Sequence, residues 1–494
     1  MKRLFALILM ISMLLGLVAC GSSAPANSGT EAGATEGKTA TFMAGYGKVD
    51  ITPEDTSGVP MNGFASSSER LSTGLLSYLY SIAVAVQDAD GNLAVMVSLD
   101  HAALAEIIFQ DVQRWAEEEM DIPKENLLVS SIHQHSCPDP INANFPSSVR
   151  YKSLLTQGIK DSIQAAVEDL APAEVFTNTA TTEALSFVRH YWTNDGTLCG
   201  DGFGDPSSGL VGHESESDKE MRLVKFVREE KEDIVLVNFQ GHPHLGTKEA
   251  DTNIHSDWPG VMRDEVEASL GVKCIYFSGA GGNMNSGSRI QEENISKDFR
   301  DHGKRAAKYV VDAESGYTKV DSGKVACKQM TLTYEADHSM DHMVTEARII
   351  ADARARDSQE ARALLKDYPQ FNSIYHASAV VRKAAEGPTL DITIGVITFG
   401  DVAFTVHPYE MFDTNGMELR AGSVDNPNYD ADDQMENPYD MTIIASICNG
   451  SMGYIPSRLG YTNGGYSTDI TKFAPGTGEQ LVGDYLRMLN ELHD

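Results

Sequence analysis

The sequence predicts an α/β fold, mixed β-sheets flanked by helices, in a single large domain. Two observations carry this. A hairpin pattern at 81–100, a helical pattern at 104–120 and an apolar β-run just before residue 133 follow one another, the order of an α/β layer. From residue 42 onward, β-rich runs keep alternating with amphipathic ones, with no internal repeat and no composition break strong enough to mark a second domain. With 494 residues, 41% of them hydrophobic and 22% charged, the composition is globular and the chain can bury a large core.

Taken in order, "FMAGYGKVDITP" (42–53) alternates apolar residues and stops at Pro53, as an edge strand or the start of a loop would. "SIAVAVQDADGNLAVMVSLD" (81–100) folds back around Asp90-Gly91. "LAEIIFQDVQRWAEEEM" (104–120) and "IKDSIQAAVEDL" (159–170) have helical spacing of apolar residues. Residues 220–244 read as two strands across a charged turn. "PGVMRDEVEASL" (259–270) is helical, with Pro259 in its first turn. A strand at 272–278 runs into the Gly-rich "GAGGNMNSG", and a helix follows at 298–313. Residues 324–336 are a strand, and a helical excursion spans about 338–386, where Met340 and Met343 read as packing. Residues 390–412 form a hairpin turning at Gly400-Asp401, 441–450 a last buried strand, and 479–492 the closing helix.

The N-terminus differs from the rest. "MKRLFALILMISMLLGLVAC" has a basic start, an apolar run and a small residue before Cys20, the pattern of a secretory signal. Its ending "LVAC" resembles the lipobox of bacterial lipoproteins. That resemblance implies cleavage after residue 19, lipidation of Cys20 and anchoring on the extracellular face of a bacterial membrane. Residues 20–41 then read as the lipidated cysteine and a flexible Gly/Ser/Ala tether. A net charge of −32 excludes electrostatic attraction to nucleic acid or anionic lipid. The five remaining cysteines are scattered, without a Cys-x-x-Cys pair, so neither a disulfide framework nor a thiolate metal site is expected. No protein partner is indicated.

Polar clusters follow four β-runs: His133 and His135 in "SSIHQHSCPDP", His242 and His244 in "NFQGHPHLGT", His407 and Glu410 in "TVHPYEMF", and Tyr454 and Tyr466 in "GSMGYIPSRLGYTNGGY". Loops after strand ends are where α/β enzymes place their chemistry. Residues i and i+2 of an extended strand share a side, so His133 and His135 would face one site. Imidazole is a metal ligand and a base near neutral pH; a pair of hydrogen-bonded strand-end histidines is the plain alternative.

The ordered set "GKVDITP", "MNGFA", "VSLDH", "SSIHQHSCPDP", "NFQGHPH", "SGAGGNMNS", "HPYEMF" and "MGYIPSRLGYTNGGY" resembles the neutral/alkaline ceramidase family, from about residue 43 to about 470. The resemblance implies a zinc-dependent amidase fold without, in these residues, the family's C-terminal immunoglobulin-like domain. By matching motifs it implies His133, His242, Glu410 and Tyr454 as zinc ligands and His135 as the group beside the reacting bond. It implies Tyr466 and Arg189 as substrate-facing and catalytic, and Gly63 as a backbone contact. The chemistry is coherent: imidazoles and a carboxylate hold Zn²⁺ with a position left open. Asp100 is open to two readings, a carboxylate supporting a ligand histidine or a strand-end cap.

The chain departs from the family in the substrate-contacting elements. Where the family has a "GDVSPN"-like loop, Asn283 and Asn285 stand for its Asp and Ser; an amide donates hydrogen bonds but is no nucleophile. "HPH" replaces "HPT", so His244 adds an imidazole that could be a base, a support or an exposed group. The expected function is therefore zinc-dependent cleavage of an amide or ester in a small or lipid-like substrate, which need not be ceramide. The alternative is a surface lipoprotein that binds a ligand on the same fold without turnover.

Overall fold

The hairpin forms as Tyr80–Asp88 and Leu93–Leu99, and it belongs to a nine-stranded sheet. The computed structural model describes residues 42–493, other than 64–66, 68–69, 201–202, 246–251, 291, 294–297, 322, 425–428, 431 and 433. The signal-like run, Cys20 and the tether lie outside the described residues. Residues 40–494 form one compact unit.

Across the large sheet the strands run Lys273–Ser278, Ile234–Phe239, Glu220–Arg228, Ala171–Thr181, Phe42–Asp50, Tyr80–Asp88, Leu93–Leu99 and Leu127–Ser131. Short Thr318–Lys319 pairs alongside Ala171–Thr181. Phe42–Asp50 is therefore a central strand rather than an edge, paired on both sides. Pro53 misled the reading because it lies beyond the last ladder pair, Asp50 with Tyr80, where no N–H is needed.

A second sheet has the order Val325–Glu335, Thr389–Phe399, Val402–Val406, Met441–Ala445. The two sheets share one core, in which Phe399 meets the rings of Phe42, Phe226 and Phe404 at 6.3, 5.8 and 5.8 Å. Helices Glu106–Met120 and Pro146–Glu168 cover half of the large sheet's other face, and Asp257–Leu270 and Phe299–Asp312 the rest. Thr477–His493 covers the small sheet. Helix 146–168 starts well before the expected 159. Gly158 and the polar turns before it break the apolar period, yet Gly158 is required: a Cβ there would lie 2.4 Å from Ile51 Cγ2. The excursion forms as Val344–Arg356, Ser358–Leu364 and Ile374–Lys383 around its own core of Ile350, Phe371, Ile374 and Val380.

Within the two main sheets three strand pairs are parallel: Leu93–Leu99 with Leu127–Ser131, Ile234–Phe239 with Lys273–Ser278, and Val402–Val406 with Met441–Ala445. Their C-terminal ends are stitched together. Ser131 N–H donates to Ile447 O at 3.1 Å, Ser446 N–H to Ser278 O at 3.0 Å and Gly279 N–H to Phe239 O at 2.9 Å. The loops that leave these ends must share one place, where ligands bind in open α/β sheets. All five described cysteines are free; burial pushes the Cys137, Cys327 and Cys448 thiols up to about 12, which keeps them inert. No described helix is long and apolar enough to cross a membrane.

Candidate metal centre

The strand Leu127–Ser131 ends just before His133, whose φ of 68° is left-handed. Such a conformation costs on the order of 1–3 kcal/mol in a non-glycine residue and persists only where surroundings hold it. Here the His133 N–H donates to His101 O at 3.0 Å, and Nδ1 lies 2.7 Å from Ala102 O. A carbonyl only accepts, so Nδ1 carries the proton and Nε2 presents a lone pair. The turn makes the rings of His133 and His135 meet at 85° instead of standing parallel.

His242 follows Ile234–Phe239 and brings Nε2 to 3.0 Å from His135 Nε2, which is itself 3.4 Å from His133 Nε2. Glu410 Oε2 lies 3.3 Å from His133 Nε2. Tyr454 stands beside Glu410 because Glu410–Met411 and Tyr454–Ile455 form a short parallel pair in which these two residues are partners. Tyr466 packs edge-on to Tyr454, ring centroids 6.1 Å apart. Arg189 lies with its Cζ 5.5 Å from the Tyr454 ring and is held by Gly282 O at 2.8 Å and Ser467 Oγ at 2.5 Å. Residues 133, 135, 189, 242, 410, 454 and 466 are thus gathered from chain segments more than 300 positions apart.

Gly63 backs onto His135: a Cβ there would lie 2.5 Å from the His135 Cα and Cβ, and its φ is 111°. His244 lies near the cluster, ring centroids 4.7 Å from His242 and 5.6 Å from His135. Asn285 pairs with Phe187 across a short strand pair, and its Oδ1 is buried with no hydrogen-bond partner among the described residues. Asn283 serves the frame: its side chain is buried and its Oδ1 accepts the Asp413 N–H at 2.8 Å, fixing the start of helix Asp413–Ala421.

Several supporting residues carry no sequence signal. Arg70 Nη1 donates to His135 O at 2.7 Å and to Asn62 O at 3.1 Å, tying the Gly63 turn to the histidine loop. Ser286 Oγ donates to His242 O at 2.7 Å. Asp100 supports no histidine. It takes a two-pronged contact from Arg263 at 2.7 and 2.7 Å and the Tyr80 N–H at 2.9 Å, while its backbone oxygen accepts from Gln134 Nε2 at 3.0 Å. His101, His190 and His407 are buried and hydrogen-bonded to Ala103 O, Glu214 and Tyr409.

The electrostatics favour neutral imidazoles at His135 and His242. Burial, then the nearby His133 and His244, hold His135 and His242 well below the usual histidine range. Burial also pulls His133 down, but the Glu410 carboxylate more than offsets it. Burial, then the Glu410 charge, pushes the Tyr454 and Tyr466 hydroxyls up, so both remain protonated donors.

The donor set fits a metal ion. Three imidazole nitrogens lie within 4.8 Å of one another, and Glu410 Oε2 has no hydrogen-bond donor among the described residues. Lone pairs aimed at each other repel unless a cation stands between them. A tetrahedral ion with bonds of about 2.0–2.1 Å spaces its donors by roughly 3.3 Å, and Glu410 Oε2 stands 3.3 Å from His133 Nε2. His135 Nε2 lies 3.0 and 3.4 Å from His242 Nε2 and His133 Nε2 as their neighbour in the cluster. His135 is thereby a member of the nitrogen cluster, beyond the His133, His242, Glu410 and Tyr454 set expected from the sequence.

Mixed sheets flanked by helices, with this convergence of strand ends, make the fold that of the neutral ceramidase catalytic domain. The crystal structure of the neutral ceramidase from Pseudomonas aeruginosa superposes with a TM-score of 0.67 at 17% identity, covering 91% of this chain and 75% of that one. A ceramidase structure described as complexed with C2 gives 0.65 at 17%, with coverage of 91% and 75%. Residues 42–287 match the family model described as neutral/alkaline non-lysosomal ceramidase, N-terminal. A neutral ceramidase of Oryza sativa subsp. japonica is 26% identical over 201 residues, 38% of this chain. The match spans 24% of that relative's length. Glu410, Tyr454 and Tyr466 all lie beyond the family-matched segment.

Proposed function

We propose that this chain belongs to the neutral ceramidase family and is a zinc-dependent hydrolase cleaving an amide or ester bond in a lipid-like substrate. The observation that carries the proposal is the convergence of His133, His135 and His242 on one point, with the Glu410 carboxylate against them. His133, His242, Glu410 and Tyr454 would hold the ion, which supplies Lewis acidity towards a water and the scissile carbonyl. His135, kept neutral by its surroundings, takes the proton of the attacking water and delivers it to the leaving nitrogen or oxygen. The Tyr466 hydroxyl and the Arg189 guanidinium stabilise negative charge developing on the carbonyl oxygen. The Gly63 backbone packs directly on His135, where no side chain would fit, and His244 would form part of the substrate wall.

The Asn285 Oδ1 without a partner suits a substrate that brings its own donor, such as an amide N–H or a hydroxyl. Asn285 and His244 depart from the ceramidase pattern, so the bond cleaved need not be that of ceramide. Asn285 is also the observation behind a second reading, a binding protein without turnover.

The deciding experiment is elemental mass spectrometry of the chain purified without chelator, followed by a panel of N-acyl amides and esters. The expected result is close to one zinc per chain, lost in His133→Ala, with hydrolysis of some panel member. A folded chain that stays empty when zinc is added would end the hydrolase reading. Zinc without turnover of any amide or ester would favour the binding protein.

We also propose a lipid anchor at Cys20, on the extracellular face of a bacterial membrane. Metabolic labelling with radioactive palmitate is expected to mark the chain and to miss Cys20→Ser; equal labelling of both would refute the anchor.

A further inference from the structure

The three helices of the excursion carry a small basic excess, although the excursion as a whole (338–386) has seven basic and seven acidic side chains. Residues 344–383 carry seven basic and five acidic side chains, in a sequence of net charge −32. This segment forms a wall of the candidate site. Helix Ile374–Lys383 docks on the short helix Tyr466–Ile470: Asn372 Nδ2 donates to Asp469 Oδ2 at 2.9 Å, and the Tyr375 ring stands edge-on to Tyr466 at 6.3 Å.

Tyr375, Ser378 and Arg382 have the i, i+3, i+7 spacing of one helix face. Arg354 lies across that face. Its guanidinium sits 4.4 Å from the Tyr375 ring centroid and donates to Ser378 Oγ at 3.0 Å. Neither Arg354 nor Arg382 has a carboxylate partner among the described residues. Arg382 is exposed. Tyr466 links this pair to the metal cluster: its ring stands edge-on to Tyr375 at 6.3 Å and edge-on to Tyr454 at 6.1 Å.

A chain with so many carboxylates could easily have paired these arginines internally. Two guanidinium groups left together repel, and an oxyanion that accepts from both relieves that cost. We infer that Arg354 and Arg382 form a subsite for an anionic group of the substrate, a carboxylate, phosphate or sulfate, across Tyr375 and Tyr466 from the candidate metal centre. The inference rests on the hydrolase reading and adds a substrate class to it: acyl amides or esters that carry a negative charge.

The test compares N-octanoyl-glycine with N-octanoyl-glycinamide, which share the acyl group and scissile bond and differ in charge. The zinc-loaded full chain is assayed beside Arg382→Gln and Arg354→Gln. The wild type is expected to favour the carboxylate in kcat/KM by about tenfold, in keeping with a charge-assisted hydrogen bond. Each variant brings the ratio close to one. Equal rates on the two compounds, or a preference that survives both substitutions, overturns the inference and leaves the hydrolase standing. Turnover of neither compound or of any panel member overturns the hydrolase instead. Calorimetric binding of the two compounds then decides: tighter binding of the carboxylate that is lost in the variants supports the subsite, and its absence refutes it.

Discussion

Arg263→Met is expected to destabilise the fold by about 3–5 kcal/mol, read by equilibrium denaturation, because it leaves the Asp100 carboxylate buried without its counter-charge. The pair is enclosed: the side chains are 2% and 0% exposed, and two contacts of 2.7 Å join them. Burial alone would lower the proton affinity of Arg263, but Asp100 raises it above the ordinary value, so the guanidinium stays charged at any working pH. Its removal reaches the site because Asp100 also fixes Gln134, between the two clustered histidines. The double variant Asp100→Leu, Arg263→Met leaves no orphaned charge and should recover most of the loss. A single variant as stable as the wild type would show that water reaches Asp100.

Glu410→Ala is expected to lower kcat/KM by about a thousandfold or more, since it removes the only carboxylate of the proposed ligand set and the charge that balances the ion. Folding should survive. Glu410 sits on a two-residue strand whose backbone is held by Gly453 O at 2.8 Å, a contact alanine retains. Glu410→Gln keeps the oxygen without the charge and should fall between the two. Metal content should drop with the rate. Equal rates in Glu410→Ala and the wild type would dispose of the metal mechanism even if zinc were found elsewhere in the chain.

The histidine pairs and Glu410 were legible because each follows an apolar β-run within a few residues, where local pattern and function coincide. The α/β class was legible for the same reason. What stayed hidden depends on contacts between distant segments. Nothing near Asp100 signals that its partner is Arg263, 163 positions away. Arg70 and Ser286 look like any polar residue until they hold the carbonyls of His135 and His242. Asn283 was read with Asn285 as a substrate contact because both belong to one loop, but only the structure shows the Asn283 oxygen taken by the Asp413 amide. The expectation that His133 and His135 share a side assumed an extended chain. They do converge, by a left-handed turn at His133 that no periodicity announces.

The candidate centre draws His133, His135 and His242 from the end of one sheet and Glu410 and Tyr454 from the end of the other. An ion shared between them would be a clasp between two layers that also meet through apolar side chains, backbone contacts and polar side chains, such as Asn238 on Ile444 O and Arg420 on Asp218. It also sets an order of events. Synthesis runs from the N-terminus, so the histidines emerge more than 160 residues before the carboxylate that completes the set. The centre can close only after both layers have stacked. On the proposed function, loading of the full ligand set would then be a late step, and a complete site would report that the two layers have stacked.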